Sequence, residues 1–244
     1  MKFSTVETNN YLSLRKGDKI VFRDKDENGN LIESVGLENY ILTQGEKTGL
    51  PIYIVDNHNW VFYCWAEYLR LKVPLEKGDL GGLKHQGNQK PPSPLVKGVQ
   101  MDLPLLIHID AHKDESEAIL SKKFIQNNLP SVKDQTAKLK VSNYISAAIQ
   151  AGLIQPDFLS FTQSKDWLNY QNKFELLKKD SQNIILNVDL DIFDPEVSLI
   201  SLEEKVELIG CFAEKVDLIT FATSPGFIDQ GLAIEIMSIF LKYL

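Results

Sequence analysis

The stretch LIHIDAHKDES, residues 106–116, puts Asp110, His112 and Asp114 at alternate positions directly after an apolar run. A second acidic pattern, IILNVDLDIFDPE, ends a β-branched run in Asp189, Asp191 and Asp194. Two shorter ones accompany them: IYIVDNHN ends in Asp56 and His58, and LITFATSPGFID runs into Ser224 and Asp229. Gathered in one place, five or more carboxylates would repel strongly at low dielectric. Such a group persists when cations neutralise it. Oxygen donors with one or two imidazoles suit Mn²⁺ or a related divalent ion. Carboxylates can also bridge two ions about 3.5–4 Å apart, the spacing of hydrolytic two-metal sites.

These groups meet only if the elements carrying them lie side by side. PIYIVD (51–56), PLLIHID (104–110), DFLSFT (157–162), NIILNVDLD (183–191) and VDLITFAT (216–223) read as strands by their β-branched and aromatic content. Helices are expected over 60–71, over 134–153 ending at Gly152, and over 166–179 with a cap near Ser164 or Asp166. Two more follow, over 201–215 from a Ser/Glu start and in the closing DQGLAIEIMSIFLKYL. This alternation predicts an α/β fold: a single domain over 1–244, three-layer α/β/α, with a mostly parallel sheet. In such sheets functional groups collect at the carboxyl ends of the strands. Residues 1–50 are polar, and two apolar runs around DENGN predict an N-terminal β-hairpin addition. Residues 73–98, rich in Gly, Pro and Lys, form a long loop that reads as a lid, a trench wall or an insertion.

Composition narrows the function classes. With 26 basic against 33 acidic residues and a net charge of −7, the chain has no basic block that could track phosphates, so no nucleic-acid partner is expected. Cys64 and Cys211 stand far apart without CxxC spacing. That excludes a disulfide framework or cysteine zinc site and predicts buried free thiols. The start MKFSTVETNN lacks the apolar run of a signal peptide. LAIEIMSIFLKYL is too short to span a membrane and carries Glu235 and Lys242. A cytoplasmic protein with no membrane partner is expected, and a homo-oligomer stays open.

IHIDAHKD resembles the IHFDAHxD signature of the arginase–agmatinase superfamily, and NVDLDIFDP resembles its SxDxDxxDP signature. The likeness runs over about residues 50–230 and implies an arginase/deacetylase-like fold holding two Mn²⁺ per chain. The implied ligands are His58, Asp110, His112, Asp114, Asp189 and Asp191. Two departures bear on the substrate. Ala222 stands where small-molecule members carry a glutamate, and no histidine follows His112. VDNHNW, IHIDAHKD, DLDIF and ATSP together are similar to a divergent branch that includes peptide arginases. That likeness implies hydrolysis of peptidyl arginine to ornithine and urea, with an arginine-containing ribosomal precursor peptide as the partner.

In this reading Asp114 relays a proton to the departing amine, and His85 on the long loop serves as a shuttle. Asp229, Asp56 and Asp194 are candidates to hold the guanidinium, Asp229 first, with Ser224 beside them. Trp60 or Trp167 would stand at the rim of a peptide trench. Plainer readings accompany each residue. His108 orients the site or packs in the core, His85 is surface, Asp194 caps a turn, and Asp56 supports His58. The competing functions are a two-metal hydrolase of a small guanidino or acetylamino compound, and a non-catalytic metal-binding scaffold.

Overall fold

The β-branched runs pair into one sheet whose two faces are both apolar, which calls for helices on each side. A computed structural model describes residues 3–5, 14–25, 27–72, 103–168, 183–197 and 200–244. Its strands are β1 (Phe3–Thr5), β2 (Lys16–Lys25), β3 (Leu31–Leu37), β4 (Tyr40–Gln44), β5 (Pro51–Val55), β6 (Leu105–Ile109), β7 (Leu159–Phe161), β8 (Ile184–Asp189) and β9 (Leu218–Ala222). Its helices are α1 (Val61–Lys72), α2 (Leu129–Thr136), α3 (Tyr144–Gln150), α4 (Ser164–Leu168), α5 (Leu202–Ala213) and α6 (Gln230–Tyr243). Seven strands form the main sheet in the order β1-β4-β5-β9-β8-β6-β7. Every neighbouring pair is parallel except β4 with β5.

Strand pleating divides the core in two. Ile52, Ile54, Ile107, Ile109, Leu186, Val188, Ile219 and Phe221 pack with α5 and α6. Tyr53, Val55, Leu106, Ile185 and Leu218 face α1, α2 and α3 on the other side. Each such side chain taken fully out of water contributes about 1.5–3 kcal/mol. The fold is therefore α/β with a mostly parallel sheet flanked by helices, as the strand–helix alternation predicts. The central strands β5, β9, β8 and β6 all run the same way, so their carboxyl ends share one edge.

The expected hairpin is present, with β2 and β3 antiparallel and Gly29 at φ +81° in the turn. The N-terminal region does more than add a hairpin, because β1 and β4 extend the main sheet itself. The single helix expected over 134–153 is instead two, α2 and α3, parted by a turn. Asn143 closes that turn by accepting from the Lys140 N–H at 2.9 Å. Asn59 Nδ2 donates to the freed carbonyls of Thr136 and Leu139 at 3.0 and 3.2 Å. Gly152, at φ +65°, follows α3 as expected. α4 begins at Ser164, two residues ahead of the expected start at 166, and the Asp166 carboxylate accepts from the Gln163 N–H ahead of it. The rest of the 166–179 helix and the 73–98 loop lie outside the described residues.

Candidate metal centre

Strand order brings four separated segments to one edge. β5 leads into a 3-10 turn, His58–Trp60, and Asn59 ties that turn to the α2–α3 break. β6 ends at Ile109 and delivers Asp110. β8 ends at Asp189 and passes into a second 3-10 turn, Leu190–Phe193, that carries Asp191. Lys205 of α5 is buried and its ammonium donates to the carbonyls of Ile192 and Val197, pinning that turn. β9 ends at Ala222 and leads to Ser224.

The resulting donors form two groups that share Asp110. In the deeper one, His58 Nδ1 lies 2.8 Å from Asp189 Oδ2, 3.0 Å from Asp110 Oδ2 and 3.4 Å from Asp114 Oδ2. In the outer one, His112 Nδ1 lies 2.8 Å from Asp191 Oδ2 and 3.5 Å from Asp110 Oδ1. His58, Asp110, Asp189 and Asp191 are buried, while His112 is half exposed at 53% of its side chain. The two oxygens of Asp110 thus face different groups, as a bridging carboxylate requires. All six residues of the expected ligand set converge here.

The donor chemistry fits divalent cations. Ligands around an ion at about 2.1 Å stand roughly 3 Å from one another, and the spacings here match that. His58 Nδ1 and Asp110 Oδ2 are buried at ion-pair distance without a well-formed hydrogen bond, and His108 Nε2 beside them is buried without a partner. Buried polar atoms left in this way are costly, and a cation among these three would satisfy all of them. Oxygen-rich donors of this kind favour Mn²⁺-like ions over soft ones.

Protonation reflects the crowding. Burial alone would depress the His58 ring, but the carboxylates of Asp189, Asp110 and Asp114 outweigh it and hold the imidazole well above its ordinary value. Burial, reinforced by repulsion from Asp189, lifts Asp191 to about 8 despite its contact with His112. Asp114, also raised by burial, reaches about 6. Asp114 adopts φ +52° and Ser224 φ +43°. Non-glycine residues in that region cost on the order of 1–3 kcal/mol and cluster at functional sites.

Several expected roles need correction. Ser224 is buried, and its hydroxyl, expected to contact substrate, instead donates to Asp189 Oδ2 at 2.6 Å and holds that carboxylate in place. Asp56 is buried with its carboxylate turned to β3, where it accepts from the Leu37 N–H, and it supports the hairpin rather than His58. Asp229 is exposed and caps α6 by accepting from the Leu232 N–H at 3.0 Å. Asp194 caps a turn through the Glu196 N–H, as its plainer reading held. Trp167 is buried against Phe161 and stands at no rim. Trp60 is half-buried and packs on Tyr40. Cys64 is buried as expected, whereas Cys211 is only half-buried. His85 lies outside the described residues.

A cavity of about 500 Å³ opens over the centre, lined by His112, Asp114, Glu115, Asp189 and Phe227 among others. Phe227 is 41% exposed, lies 5.2 Å from the His112 ring between centroids, and packs on Phe22 of β2. The hairpin therefore reaches the cavity through Phe22, and Asn57 Nδ2 ties it to the end of β5 by donating to the Val21 carbonyl. Among the described residues, no helix is long and apolar enough to cross a membrane. Scanned against protein-family models, curated proteins and solved structures, the chain matches none.

Sequence reasoning named His108 only as an orienting or core residue and missed Asn187, Tyr144, Thr220 and Lys205. Asn187 was within reach of it, because His108 and Asn187 stand two residues before Asp110 and Asp189, and strand periodicity puts such pairs on one face. Tyr144, Thr220 and Lys205 become visible only through packing.

Proposed function

We propose that this chain is a manganese-dependent hydrolase of an arginine-containing ribosomal precursor peptide: peptidyl arginine plus water gives peptidyl ornithine plus urea. The observation that carries the reading is the pair of donor groups sharing Asp110, in the ligand set that the two signature motifs imply. The mostly parallel α/β sheet flanked by helices accords with an arginase/deacetylase-like three-layer fold. Two divalent cations would supply Lewis acidity and a water that ionises near neutrality.

The protein's own residues then have definite tasks. His58, Asp110, Asp114 and Asp189 would hold the deep cation, and His112, Asp110 and Asp191 the outer one. Water adds to the guanidinium carbon, and the bond from that carbon to the side-chain nitrogen breaks. That nitrogen leaves as an amine and needs a proton. Asp114 lines the cavity, which supports it as the group that relays one. Ala222 is fully buried and offers no carboxylate. The cavity instead presents Glu115 and the Phe227 ring at a wide mouth, which suits a side chain presented on a peptide.

The test uses the purified protein loaded with Mn²⁺ and arginine-containing leader–core peptides, followed by mass spectrometry and urea assay. Loss of CH₂N₂ per modified arginine with matching urea is expected. Unchanged peptide mass across several such peptides, with both metals bound, refutes the substrate.

A further inference from the structure

One polar row crosses the sheet beneath the metal centre. His108 of β6 pairs in register with Asn187 of β8, and Asn187 with Thr220 of β9. All three are fully buried. Tyr144 and Trp65, buried too, close the row from the helical side. Tyr144 Oη lies 3.0 Å from Asn187 Nδ2, and the Trp65 indole N–H donates to Thr220 Oγ1 at 3.3 Å.

His108 is the member that this network leaves incomplete. Its Nδ1 stands 3.2 Å from the Asn187 amide, but its Nε2 has no hydrogen-bond partner and lies 3.5 Å from Asp110 Oδ2. Asp110 Oδ2 and His58 Nδ1, 3.0 Å apart at the same spot, make no well-formed hydrogen bond either. A core histidine kept only for packing would have both ring nitrogens satisfied. Here one nitrogen is aimed into the space between His58 and Asp110.

Asn187 can turn both rings the same way. Its amide lies 3.1 Å from His58 Nε2 as well as near His108 Nδ1. A half-turn exchanges the amide nitrogen and oxygen with little change of shape. With the carbonyl oxygen towards the rings, Asn187 accepts from His58 Nε2–H and His108 Nδ1–H. Both rings then offer their opposite lone pairs towards Asp110 Oδ2. Thr220, 2.7 Å away on the other side, serves either orientation because a hydroxyl accepts as readily as it donates.

We infer that His108 is a further ligand of the deep cation, and that Asn187 is the positioning residue that aims His58 and His108 at it. The inference rests on the metal centre and not on the identity of the substrate. Its outcome is a donor set with one imidazole more than the six ligands that the resemblance implies.

The chain has four histidines, so histidine-selective ¹⁵N NMR with and without Zn²⁺ or Cd²⁺ can follow each ring. Metal-dependent shifts of ring nitrogens are expected for His58, His108 and His112. Calorimetric titration should show N187L weakened on the order of 10–100-fold for the tighter ion, the usual effect of losing a ligand's orienting partner. H108F should weaken at least as much, while N187D, which keeps an acceptor, stays near wild type. Unfolding of H108F in chelator should be no easier than for wild type. His108 nitrogens indifferent to metal, or H108F binding both ions with wild-type affinity, would overturn the inference. Should H108F fail to fold, the NMR shifts of the wild-type protein decide alone. A wild-type protein that takes up no metal overturns the centre and His108 with it, whereas metal uptake without urea release overturns only the substrate.

Discussion

Replacing Asp191 with asparagine should stabilise the metal-free protein and destabilise the metal-loaded one. In the metal-free fold, burial and the Asp189 carboxylate raise Asp191 to about 8. The folded protein therefore holds a proton that the unfolded chain releases, and stability falls as pH climbs from about 4 to about 8. At about 1.4 kcal/mol per unit, a shift of roughly four units caps the penalty near 6 kcal/mol. Asparagine removes it while keeping one acceptor for the Ala111 N–H. The lost charged contact with His112, 2.8 Å away, costs about 1.5–3 kcal/mol. The net gain is about 3–4.5 kcal/mol at the alkaline end, or roughly 6–18 °C in Tm for a chain of this size. With Mn²⁺ at about 10,000 times the wild-type Kd, each occupied site adds about 5.4 kcal/mol to the wild type, more than the variant's gain. The variant forfeits the outer share, so its Tm drops below wild type. Thermal unfolding in chelator and in Mn²⁺, at an acidic and an alkaline pH, measures both signs. Equal destabilisation under all four conditions would refute the picture of a carboxylate cluster relieved by cations.

Ser224→Ala removes the 2.6 Å hydrogen bond to Asp189 and should lower stability by about 1.5–3 kcal/mol in denaturant titration, with weaker Mn²⁺ binding by calorimetry. Asp229→Ala should cost about 1 kcal/mol through the lost α6 cap, seen in thermal unfolding, and leave Mn²⁺ affinity unchanged. Gly36→Ala would put a methyl 2.5 Å from the Asp56 carboxylate, so a loss of about 1–3 kcal/mol is expected in the same assay.

Much of the fold could be read from the chain. β5, β6, β8 and β9 are nearly continuous apolar runs, which is how strands buried on both faces must look. The capping box of Ser201 with Glu204 marks the start of α5 in sequence and in space. The α2–α3 break was not legible, because apolar spacing continues across it and the group that receives the freed carbonyls, Asn59, comes from far away in the chain. Lys205 was equally hidden: its role depends on a turn carried by a different element.

For the centre, the sequence by itself determined donor types and their alternation. Asp110, His112 and Asp114, and Asp189 with Asp191, carry metal-binding chemistry in their spacing alone. It could not separate those carboxylates from Asp56, Asp194 and Asp229, which are the same kinds of group at the same strand ends. Tertiary structure decided that, because a carboxylate turns to whichever unsatisfied donor lies nearest. Asp56 found the Leu37 N–H, Asp194 the Glu196 N–H and Asp229 the Leu232 N–H. Strand order alone left Asp110 between two histidines, with one oxygen for each.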